Sequence, residues 1–106
     1  MNLIDRNELK VKLDRGDDFK LVMTLTDWAF QTKHIPGSLN LANAKDVSTL
    51  PEKDDEIVVY CSDENCIGSK VAYDRLTRGG YGNVRRYAGG IADWEEHSLP
   101  LEGDSA

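Results

Sequence analysis

Four consecutive apolar residues, Ile57-Val58-Val59-Tyr60, restrict the folds open to this chain more than any other stretch. A strand with water on one face alternates apolar and polar residues, whereas an unbroken run of β-branched and aromatic residues asks to be covered on both faces. That is the situation of a central strand in a parallel sheet packed by helices. The run stops at Cys61, a polar stretch follows, and a helix-like pattern resumes.

The flanking segments supply such helices and further strands. Asp5 stands three residues before Glu8, a capping-box-like start for a helix with Leu9 and Leu13 on one face and a stop near Gly16. "FKLVMTL" reads as a strand, "TDWAFQTK" as a short helix, "HIPGS" as a turn and "LNLA" as a brief strand. Residues 43–50 read as a second short helix ended by Pro51, Ser69 to Arg78 as a longer one closed by Gly79-Gly80, "NVRRY" as a strand, and Ile91 to His97 as a last helix. Strand and helix thus alternate along the chain. This predicts an α/β fold, a mostly parallel central sheet of about five strands with helices on both faces, in one domain over residues 1–106 whose tail frays from about Leu101.

Composition removes several classes of function. With 13 basic against 19 acidic residues the formal charge is −6, the wrong sign for a nucleic-acid partner, and the pair Arg85-Arg86 is too short to reverse it. No apolar run approaches the roughly 20 residues of a membrane span, and the chain turns charged directly after its start, so a cytoplasmic protein with no membrane partner is expected. Two cysteines do not make a disulfide scaffold for a domain with apolar segments this regular. In a reducing compartment, two thiols in one loop point to chemistry.

Sites in open parallel sheets gather at the carboxyl ends of the strands, and Cys61 holds that place on the most apolar strand. A thiolate there is favoured by the unpaired N–H groups and dipole of the helix that follows. The bland alternative is a small buried hydrophobe that ends a strand.

The ordered landmarks "HIPGSLNL", "IVVYC" and "GGYGNVRRYAGGIADW" decide between them. Together they resemble the rhodanese-like single domain, over about Phe19 to Leu101. The resemblance implies a sulfurtransferase in which Cys61 takes a sulfane sulfur from a small donor such as thiosulfate, or from a protein persulfide. Cys61 would hold it as a persulfide and pass it to a thiol or cyanide. No cofactor and no metal is implied. The binding loop would be Ser62, Asp63, Glu64, Asn65, Cys66, Ile67 and Gly68, whose backbone amides could ring the sulfur. His34 would belong to a structural turn, and His97 is read the same way. The alternative within the fold is a non-catalytic sulfur-carrier, redox-sensing or protein-interaction module.

The sequence departs from the family pattern in three places. Met23 and Leu25 stand where an Asp-x-Arg pair is usual, so apolar packing must replace a polar tie. The stretch from Cys61 to Tyr81 is about two residues longer than the commonest pattern, which enlarges the loop. The loop carries Asp63 and Glu64 but no arginine, and Ile67 takes the place of the anion-gripping arginine of Cys-x5-Arg phosphatases. A neutral donor or a protein persulfide therefore suits the loop at least as well as thiosulfate. Cys66 is either a space-filler at the helix start or a resolving thiol that attacks the Cys61 persulfide and leaves a disulfide for thioredoxin to reduce. Neither a zinc site from Cys61, Cys66, His34 and His97 nor a thioredoxin-type centre has the spacing it needs.

Overall fold

The structure, a computed structural model, describes residues 1–40 and 52–105. Among the described residues the elements are, in chain order, α1 (Arg6–Arg15), β1 (Lys20–Met23), α2 (Asp27–Thr32), β2 (Leu39–Asn40), β3 (Ile57–Tyr60), α3 (Gly68–Arg78), β4 (Val84–Tyr87) and α4 (Gly90–Glu96). The sheet order is β2-β1-β3-β4, and every pairing is parallel. β3 lies inside the sheet with all four residues buried, as its lack of polar alternation requires. Among the described residues there are four strands rather than about five. Leu3 adds a single parallel bridge to Arg86 at the β4 edge, too short a contact to count as a strand. The expected helix over residues 43–50 lies outside the described residues.

Local signals explain where the helices begin and end. The Asp5 carboxylate accepts the Glu8 N–H at 2.8 Å and satisfies one of the orphan donors of α1. Gly16 closes the same helix in the left-handed region at φ 71°. The Thr26 hydroxyl caps α2 by accepting the Ala29 N–H. α3 starts at Gly68 without any side-chain cap.

Period-two alternation sorts the strand residues onto two layers. Leu21, Met23, Val58, Tyr60 and Tyr87 pack with Leu9 of α1, Phe30 of α2 and Trp94 of α4. Val22, Ile57, Val59 and Val84 pack on the opposite face with Ala72, Tyr73 and Leu76 of α3. Met23 is buried and Leu25 packs beside it, so apolar contact fills the place of the polar pair usual in the resembled family.

The tail, as far as it is described, is hydrogen-bonded to the scaffold. His34 and Glu102 exchange backbone hydrogen bonds of 2.8 and 2.9 Å, and the amides of Asp104 and Ser105 donate to the carbonyls of Gln31 and Thr32 at the end of α2. These bonds satisfy carbonyls that α2 leaves open, which is why a polar tail stays down.

Candidate active site around Cys61

Cys61 follows β3 directly and is only 1% exposed. Its backbone is pinned from the α4 side, because the Ile91 N–H donates to the Cys61 carbonyl at 3.1 Å and the Ala92 N–H to the Ser62 carbonyl at 2.8 Å. The first-turn donors of α4 thus clamp the strand end. Gly90 makes the clamp possible. Its φ is +63°, and a β-carbon there would overlap the Cys61 carbonyl oxygen and lie 3.0 Å from the carbonyl carbon.

On the other side the sulfur faces the start of α3. A β-carbon placed on Gly68 would lie 3.3 Å from Cys61 Sγ and 3.2 Å from Thr24 Oγ1. Among the described residues, the amides of Gly68, Ser69 and Lys70 donate to no protein acceptor, since α3 has no cap and its first bond is Val71 N–H to the Ile67 carbonyl. Such donors favour negative charge.

The intervening loop is a tight turn. The Asp63 carbonyl accepts the Cys66 N–H at 3.2 Å, and the Asp63 carboxylate accepts the Asn65 N–H at 2.9 Å. Glu64 and Asn65 are exposed, as is Ile67 at 70%. The turn brings Cys66 back to Cys61, and the two sulfurs are joined as a disulfide with Cα atoms 6.2 Å apart. Cys66 is partly exposed, while Cys61 is not.

The surroundings of the loop are asymmetric. One side is an acidic cleft of about 290 Å³ lined by Asp63, Glu64, Asp93 and Glu96 with Asn65 and Gly89. The other is an apolar groove of about 450 Å³ beside Gly68, formed by Ile67, Val71, Ala72 and Leu76 and bordered by Thr24 and Arg75.

A cation reaches the loop from below, and scanning the loop for arginine misses it. Arg86 on β4, in register with Val59, is 5% exposed. Its Nε donates to the buried Ser69 hydroxyl at 2.8 Å and its Nη2 to the Glu64 carbonyl at 3.5 Å. Among the described residues no carboxylate lies within ion-pair distance of it, so its positive charge is directed at the loop and the start of α3. Arg85 points the other way, to the Glu8 carboxylate and the Leu3 carbonyl. Period-two alternation with Val84 is the sequence signal that separates the two arginines.

The histidines serve the scaffold. His34 stacks on Phe30 at 4.0 Å, and its Nδ1 lies 2.7 Å from the Phe30 carbonyl. His97 Nδ1 is 2.8 Å from the Asp93 carbonyl. Asp93 itself ties three elements together, accepting from Arg6 at 3.0 Å and from the Tyr87 hydroxyl at 2.6 Å. Burial, the hydrogen bond to Asp93 and the Asp93 charge all raise the pKa of Tyr87.

Known proteins share this plan. The rhodanese-like domain model matches residues 5–97. A sulfurtransferase of Allochromatium vinosum is 33% identical over 104 residues, which cover 95% of this chain and 94% of that protein. An HTH-type transcriptional regulator of Mycobacterium tuberculosis is 31% identical over 101 residues, 93% of this chain and 44% of that protein. Among solved structures, the BH2092 protein of Bacillus halodurans superposes with a TM-score of 0.86 at 22% identity, over 98% of this chain and 78% of that one. A human single domain sulfurtransferase superposes with a TM-score of 0.76 at 22% identity, over 91% of this chain and 96% of that one. At these identities the two structures speak for the fold.

Proposed function

The chain belongs to the rhodanese-like domain family, and from that premise we propose that it is a sulfurtransferase carrying sulfane sulfur as a persulfide on Cys61. One observation carries the assignment: the sulfur of Cys61 sits at the carboxyl end of the central strand, against Gly68 at the uncapped start of α3. The reduced Cys61 thiolate attacks the outer sulfur of thiosulfate, the S–S bond breaks, and sulfite leaves with the bonding pair. An acceptor thiol or cyanide then takes the outer sulfur and returns the thiolate. No general base is needed. The free amides of α3 and the Arg86 charge favour the anionic species on this path.

The acidic cleft beside the loop favours a persulfide donor, small or protein-borne, over thiosulfate, whose two charges Asp63 and Glu64 oppose. Thioredoxin-like dithiol proteins fit as reductants of the disulfide. Among the described residues no helix is long and apolar enough to cross a membrane, and a thiol enzyme of this kind suits the reducing cytoplasm. A second reading, a sulfur- or oxidant-sensing module serving a partner, draws support from the disulfide, which is open to solvent on the Cys66 side, and from the regulator that carries a related segment.

The test is mass spectrometry of the reduced protein after thiosulfate or glutathione persulfide. One added sulfur atom mapped to Cys61 in Cys66→Ala, whose alanine cannot displace it, and none in Cys61→Ser, is expected. Equal transfer to cyanide by parent and Cys61→Ser would overturn the assignment.

A further inference from the structure

We propose that Cys66 is a resolving thiol, so that the domain releases its bound sulfane sulfur as free sulfide at the expense of a dithiol reductant. This rests on the persulfide reading of Cys61 and adds a second half-reaction to it. The loop curls so that the two sulfurs meet, with a Cα separation of 6.2 Å, inside the span of about 4.4–6.8 Å that a disulfide needs. The partners are held differently. Cys61 is fixed to α4 through its own carbonyl and that of Ser62, whereas Cys66 hangs on a turn closed by bonds to Asp63 and touched from the sheet only at the Glu64 carbonyl, by Arg86 at a long 3.5 Å. Cys66 is therefore the partner that can approach and withdraw.

The step balances. With the persulfide on Cys61, the Cys66 thiolate, its proton lost to solvent, donates an electron pair to Cys61 Sγ. The bond from Sγ to the outer sulfur breaks, and the outer sulfur, which takes a proton from solvent, departs with that pair as HS⁻. The Cys66 sulfur is oxidised, the outer sulfur is reduced, and the Cys61–Cys66 disulfide remains. An external dithiol then attacks the disulfide and restores both thiols, becoming a disulfide itself. Exposure sets the direction of that attack: Cys66 is partly exposed and Cys61 is buried. The reductant forms its mixed disulfide with Cys66, and Cys61 leaves as the thiolate at the start of α3, where unpaired amides receive it.

The experiment uses reduced, desalted protein, with thiosulfate and separately glutathione persulfide as donors and no other reductant. Sulfite release monitors loading from thiosulfate, trapped sulfide monitors resolution, and non-reducing peptide maps locate the bonds. The parent is expected to release about one sulfide per chain and end as the Cys61–Cys66 disulfide, while in Cys66→Ala the Cys61 persulfide lives at least about tenfold longer. Cys66→Ser, closer in size, should behave as Cys66→Ala and controls for a packing effect. A parent that keeps a Cys61 persulfide beside an unlinked Cys66, a persulfide found on Cys66, or equal sulfide release by the variants would overturn the inference and leave the transferase reading standing. Absence of any adduct, sulfite or disulfide with both donors would overturn both.

Discussion

The hydroxyl of Tyr60, one residue before Cys61, ties the strand of the candidate site to the "HIPGS" turn, and Tyr60→Phe tests how much that tie contributes. The hydroxyl accepts the Ile35 N–H at 3.0 Å and meets Ser38 Oγ at 2.8 Å; Ser38 in turn donates to the Ile35 carbonyl at 2.7 Å. Tyr60 and Ile35 are fully buried, so water cannot replace the lost oxygen. An orphaned buried N–H costs about 1–3 kcal/mol and the second hydrogen bond about 0.5–1.5 kcal/mol, which together predict a loss of roughly 2–4 kcal/mol. In a domain of this size that is a fall in Tm of about eight degrees or more, at about 4–8 °C per kcal/mol. The pH dependence supplies an independent check. Burial, opposed in part by its hydrogen bonds to Ser38 and Ile35, pushes the Tyr60 pKa up to about 12, whereas an unfolded tyrosine ionises near about 10. A raised folded value means that the stabilisation is complete below pH ~10 and is lost as pH rises toward ~12, because only the unfolded chain gives up the proton. Phenylalanine has no proton to lose. The stability gap between parent and Tyr60→Phe should therefore narrow by about 1.4 kcal/mol between pH ~8 and ~11. Urea titrations of both proteins at the two pH values measure it. A variant as stable as the parent at pH 8, or a gap that stays constant to pH 11, would refute the reasoning.

Three further outcomes are expected. Arg86→Met, which keeps the stem and removes the charge, should slow single-turnover sulfite release from thiosulfate about tenfold, since a full charge within a loop's width is worth roughly 1–2 kcal/mol at an effective dielectric near 20. The pH profile of Cys61 alkylation should move upward in parallel, and a rate within about twofold of the parent with an unmoved profile would remove Arg86 from the site. Gly90→Ala should cost about 2–5 kcal/mol in urea unfolding, because it adds left-handed strain to an overlap with the Cys61 carbonyl; a loss below about 1 kcal/mol would mean the clamp yields freely. Aryl phosphatase activity should stay at background, as no arginine stands six residues after Cys61; turnover that vanished in Cys61→Ser would reverse that expectation.

Much of the fold was legible because its signals are local. Asp5, Glu8 and Gly16 mark the ends of α1 by side-chain and backbone chemistry within three or four residues, and α4 begins within one residue of its expected place. The unbroken run of β3 announced its own burial. The hydrogen bonds of the tail were not legible, for the opposite reason. "PLEGDSA" is polar and short, and what holds it is a set of carbonyls left open by α2 and a bridge to His34, some 68 residues away in sequence. Composition cannot report a hydrogen bond whose partner is distant.

The site divides along the same line. The place of Cys61 followed from the strand that precedes it, and the loop that follows from the helix pattern after it. The source of positive charge did not, because a search for arginine along the loop looks in the wrong dimension. In a parallel sheet the residue beside Val59 in space belongs to β4, and Arg86 reaches the Glu64 carbonyl and Ser69 from that neighbouring strand. A guanidinium supplied across the sheet is buried and held to the scaffold before any ligand arrives. An arginine within the loop would have to move with it. If Cys66 must swing toward and away from Cys61, a charge anchored outside the moving segment can serve a thiolate and a persulfide alike, and it touches the turn only through the Glu64 carbonyl, at 3.5 Å, the long limit of a hydrogen bond.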